Sequence, residues 1–64
     1  MKTLNVHFIN SGWGNDHGTR AADLVELTVD TLGKPVAKIT NPFDYYTAEL
    51  TARFLNDEWI CDLD

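Results

Sequence analysis

The clearest pattern in the chain is strict alternation over residues 3–9, TLNVHFI. Leu4, Val6 and Phe8 fall on one side, and Thr3, Asn5 and His7 on the other. That spacing predicts a half-buried strand. A second alternating stretch places Val25, Leu27 and Val29 opposite Glu26, Thr28 and Asp30. It meets Asp30-Thr31-Leu32-Gly33-Lys34 and a return segment Val36-Ala37-Lys38-Ile39-Thr40. Asp opens such a turn, Gly supplies its left-handed residue, and Pro35 is tolerated at the first residue of the return strand. Residues 23–40 therefore read as a hairpin. A helix over 20–32 ended by Gly33 is the competing reading, and the β-branched content favours the hairpin.

Residues 42–55 read as a helix. Asn41 suits the N-cap, Pro42 the first helical position, and Asp44 complements the positive end of the dipole. Phe43, Tyr46, Thr47, Leu50 and Phe54 draw one apolar stripe, while Tyr45, Glu49, Ala52, Arg53 and Asn56 lie off it. Asn56 can end the helix in a left-handed cap. Residues 58–63, EWICDL, form a last strand with Trp59, Cys61 and Leu63 on one face. Residues 10–20, NSGWGNDHGTR, read as a long loop. The order β-β-β-α-β implies an α+β domain: a four-stranded, mainly antiparallel sheet with one helix packed on one face.

Sixty-four residues make a single domain, residues 1–64, with a small core. One cysteine, Cys61, excludes an internal disulfide and suggests a reducing, cytoplasmic setting. No segment approaches the ~20 apolar residues of a membrane span. The charge is uneven. Residues 1–40 balance, whereas residues 41–64 hold Arg53 against Asp44, Glu49, Asp57, Glu58, Asp62 and Asp64, and so carry the whole net charge of −5. Direct nucleic-acid binding is disfavoured, since phosphates need a basic face.

Candidate chemistry is sparse. His7, His17, Asp16 and Cys61 lack the close ligand pairs of a zinc site, so neither a metal nor a cofactor is expected. Alternation turns Cys61 inward and His7 outward, which separates nucleophile from base. Ser11 with His17 lacks an orienting acid. Gly12, Gly14 and Gly18 do not match the dinucleotide spacing. No enzyme activity is expected, and no motif is specific enough to carry a family resemblance.

The feature above background is the acidic cluster Asp57, Glu58, Asp62 and Asp64. Asp57 and Glu58 would oppose the dipole at the end of the expected helix. Tyr45 and Trp13 are candidate interface anchors. The reading is a small acidic protein-interaction module docking on the basic surface of a larger protein, in one version a phage- or mobile-element-type inhibitor of a nucleic-acid-binding groove. The alternatives are a homo-oligomeric assembly protein, such as a homodimer, and a small metal- or nucleotide-binding domain.

Overall fold

The computed structural model describes residues 2–43 and 49–63. They form five strands: β1 (Thr3–Asn10), β2 (Asn15–Val29), β3 (Pro35–Thr40), β4 (Glu49–Leu55) and β5 (Glu58–Asp62). These strands close into a barrel in the order β1-β2-β3-β4-β5. Neighbours pair antiparallel except at the seam, where β5 runs parallel to β1 and sets Val6 opposite Trp59 and Phe8 opposite Cys61. No described residue is helical, and among them no helix is long and apolar enough to cross a membrane.

The α+β expectation is thus corrected to an all-β barrel of five strands. The helix expected over 42–55 is replaced at 49–55 by β4, and Asp44, Tyr45, Tyr46 and Thr47 lie outside the described residues. The reason is that β4 satisfies two periods. Leu50 and Phe54, four residues apart, share a face in a helix and in a strand alike. Ala52 separates the readings: it lies off the helical stripe, yet in the barrel it is fully buried opposite Ala37. Helix-forming residues there yield to ladder bonding on both sides, since local propensity is a weak prior.

Asn41 does cap. Its Oδ1 accepts the Phe43 N–H at 2.9 Å, and the turn so begun carries Phe43 back over the barrel. Phe43 meets Phe8 edge to face, with centroids 5.0 Å apart. Arg20 lies 4.6 Å over the Phe43 ring, and His17 stands beside it.

The expected loop over 10–20 is also corrected. Only Ser11–Gly14 form a turn, and β2 starts at Asn15. The strand expected over 3–9 and the terminal strand expected over 58–63 appear as Thr3–Asn10 and Glu58–Asp62, and the hairpin over 23–40 appears with a β-bulge between Leu24 and Glu26 that takes Val25 out of the expected alternation. Inward alternation builds the core from Val6, Phe8, Ala22, Ala37, Ile39, Ala52 and Cys61. Alanines at facing positions keep a five-stranded barrel narrow enough for Phe8 and Ile39 to fill it.

Candidate functional site

Of the six residues expected to bind a partner, the four that are described, Trp13, Asp57, Glu58 and Asp62, do not gather in one place. Asp57 occupies the β4–β5 turn, where Asn56 and Asp57 both have positive φ, 52° and 62°. Two left-handed residues joining antiparallel strands make the primed turn favoured in hairpins, which Asn and Asp tolerate well. No helix ends there, so the opposed-dipole argument for Asp57 and Glu58 falls away. Each acid has a local structural role instead.

Glu58 opens β5 and its Oε1 lies 3.0 Å from His7 Nδ1. The other ring nitrogen, Nε2, lies 2.7 Å from Asp16 Oδ1. His7 is thus clasped between carboxylates from β5 and β2, on the outer face of β1. The hydrogen bond to Asp16, aided by Glu58, raises the His7 pKa above its ordinary value. The Gly18 N–H and the His7 ring hold Asp16 below the usual carboxylate range. With both nitrogens engaged, the ring has no free lone pair to offer a substrate proton.

Asp62 sits at the other end of β5. It accepts the Ser11 hydroxyl and, at 3.3 Å, the Ser11 N–H. Trp13, 79% exposed, stands on that same β1–β2 turn. The structure therefore brings Asp62 and Trp13 together at one end of the barrel and Asp57 and Glu58 at the other. Tyr45 and Asp64 lie outside the described residues.

Cys61 faces the core and is buried, which pushes its thiol pKa up. His7 faces out, so the two do not meet. Among the described residues, no group of three or more His, Cys, Asp or Glu is placed to hold a metal.

Sequence reasoning missed the most unusual surface. In a closed barrel the inward stripe of each strand is covered, but here it runs off one end. β1 stops pairing with β2 at Thr3↔Asp23, while β2 continues to Val29 against β3. The inward residues of this overhang remain exposed: Leu27 at 60% and Val29 at 62%. Phe54, opposite Trp59 in the neighbouring hairpin, is 42% exposed, and Leu32 at the β2–β3 tip is 78% exposed. Phe43 covers the opposite end of the barrel; at this end Trp59 packs against the core and meets Phe54 edge on, with centroids 5.3 Å apart, while Leu27 and Val29 stay exposed. The signal was present in the sequence, since the apolar alternation that includes Leu27 and Val29 runs past the positions that a strand as short as residues 3–9 can cover.

The turn at this end is firmly built. Asp30 Oδ1 accepts the N–H groups of Leu32 and Lys34, each at 2.9 Å, and Oδ2 accepts Arg53 Nη1 at 2.9 Å. These bonds hold Asp30 below the usual carboxylate range, with the Lys34 N–H the largest cause. The apolar residues are therefore presented on a braced hairpin. Comparison with protein-family models, with curated proteins and with solved structures finds no match to this chain.

Proposed function

We propose that this chain is a small protein-interaction module that works by surface contact through the open, apolar end of its barrel. The observation that carries the reading is the inward stripe of Leu27, Val29 and Phe54 left exposed beyond the closed section. Contiguous exposed apolar surface on a domain this small costs solubility unless it has a use. A braced hairpin also presents its side chains with little ordering entropy left to lose on contact.

The net charge of −5 bears on encounter rather than on the contact itself, favouring approach to basic surfaces at low salt. The carboxylates of Glu58 and Asp62 are engaged within the chain, which supports an apolar contact over one led by acids.

A photo-crosslinking residue placed at Leu32, on the exposed tip, is compared with one at Thr40, exposed at the opposite end of β3. Adducts from Leu32 and none from Thr40 are expected. Equal yields from both positions, or none from either, would remove the reading. Adducts at Leu32 that vanish at high salt would shift it toward charge-led docking on a basic partner.

A further inference from the structure

Strand alternation leaves the outer face of such a sheet polar. On β1, β4 and β5 it does not. Ile9, Leu55 and Ile60 point outward, next in sequence to the inward Phe8, Phe54 and Cys61. Ile9 and Ile60 are half-buried there, and Leu55 is 49% exposed. β5 lies between the other two strands, so its register draws the surface. Ile60 has Arg53 on one side and His7 on the other, Asp62 stands beside Ile9, and Leu55 stands beside Glu58. With Thr51, Arg53 and Asp62, the three apolar residues line a groove of about 500 Å³. That lies within the ~300–1,000 Å³ of sites that hold small ligands.

Charge selects the occupant. Among the described residues, the cations beside the groove each meet a carboxylate. Arg53 reaches across β3 to Asp30 at 2.9 Å, which draws its guanidinium away from β5. Lys38, opposite Thr51, lies 3.7 Å from Glu26. His7 lies between Asp16 and Glu58. Residues 49–63 hold Glu49, Asp57, Glu58 and Asp62 against Arg53, so they carry three of the five net negative charges. Asp62 is exposed and lines the groove. The Ser11 N–H and hydroxyl aim its carboxylate, and these neutral donors do not cancel its charge. An anion would meet that excess. A cation on an aliphatic stem matches both features, its stem on Ile9, Ile60 and Leu55 and its head at Asp62, as lysine and arginine lie along apolar surface with the charge kept in water.

The repeat along β5 favours a peptide as the source. Glu58, Ile60 and Asp62 run acid, apolar, acid at alternate residues. Alternate side chains of a strand stand ~6.6 Å apart, the spacing that any extended segment shares. A segment with basic, apolar and basic residues at every second position meets them in turn.

We propose that this groove binds an extended basic segment of a partner protein, with lysine or arginine at Asp62 and an apolar residue on Ile60. The site goes beyond the contact at the open end, since it uses the outer face of β5 and other residues.

Fluorescence anisotropy of a short labelled peptide alternating lysine and valine, titrated with the full chain, tests it. Saturable binding that weakens at high salt is expected. A peptide alternating glutamate and valine should not bind, and one alternating lysine and serine should bind at least about tenfold more weakly. Thr51 is exposed, so Thr51→Lys removes no core while placing a cation in the groove. Thr51→Lys and Asp62→Asn should each weaken binding at least about tenfold. Asp23→Asn removes the same charge from β2, with β1 between it and the groove, and should change binding less than about twofold. No binding, equal binding of the lysine–serine peptide, or equal losses from Asp62→Asn and Asp23→Asn would each overturn the proposal. A simple alkylamine that displaces the peptide at equal concentration would overturn the choice of a segment. Leu32 adducts without peptide binding would sink this site and leave the open-end reading standing, and peptide binding without adducts would do the reverse.

Discussion

Replacing Ala52 by leucine distinguishes the barrel from a helix at this position. On an exposed helical face the change is nearly neutral, within about 0.5 kcal/mol. In the barrel Ala52 is 0% exposed and faces Ala37, also 0% exposed, across the β3–β4 ladder. Phe8, Ile39 and Cys61 already fill the space that the longer side chain would need. Overpacking of this kind costs ~1–3 kcal/mol. Total stability for a chain of 64 residues is on the order of 3–10 kcal/mol at the usual ~0.05–0.15 kcal/mol per residue. The substitution therefore removes a large share of it. With a urea m-value of ~1 kcal/mol/M for so small a protein, the midpoint should fall by ~1–3 M. Thermal unfolding should drop by ~4–8 °C for each kcal/mol lost. Thr51→Leu is the control, because Thr51 points outward and is exposed. A midpoint for Ala52→Leu within ~0.5 M of both the wild type and Thr51→Leu would refute the account of the core.

The His7 clasp makes stability depend on pH. Its folded pKa is raised, so its contribution is fully present below the unfolded value near 6.5 and is lost as pH rises through the higher folded value. Wild type should lose stability over that window and His7→Gln should not. An NMR titration placing His7 at or below 6.5 would contradict the clasp. Asp16 works in the opposite direction, since its lowered pKa stabilises above about 3.8 and the gain is lost as pH falls through the folded value. Asp57→Gly should raise stability by ~0.5–1 kcal/mol by relieving a side chain at positive φ, while Asp57→Val should lower it by ~1–2 kcal/mol, both read from urea midpoints. Cys61 should resist a thiol reagent in the native state and react at once in denaturant. Equal rates would contradict its burial and raised pKa.

Alternation made β1, the β2–β3 hairpin and β5 legible, because one buried face per strand writes a period of two into the chain. The central error came from β4. Leu50 and Phe54 fit both periods, and Asn41 and Pro42 start a turn as convincingly as they start a helix. The arbiter was Asn56-Asp57 between ELTARFL and EWICD, a two-residue hairpin signal read instead as a helix cap. Both motifs use a left-handed residue, so local chemistry alone left them equivalent. The candidate site was harder to read. That His7 lies between Asp16 and Glu58 depends on the barrel closing β5 against β1, a pairing of distant segments that no local pattern encodes. The acidic residues were legible as charge, but their separation to opposite ends of β5 was not.

Five strands running alternately up and down cannot close with every neighbour opposed. Parity forces one seam to run parallel, and it falls between β1 and β5, where four Cα pairs hold the barrel shut. Parallel ladders are slightly weaker per residue, so this seam is where transient opening should start. The His7–Glu58 contact bridges that seam. Loss of the proton from this imidazole is therefore expected to make opening at the seam more frequent. Amide hydrogen exchange along β5 should quicken with pH beyond its intrinsic chemical dependence, while the β3–β4 ladder keeps its protection.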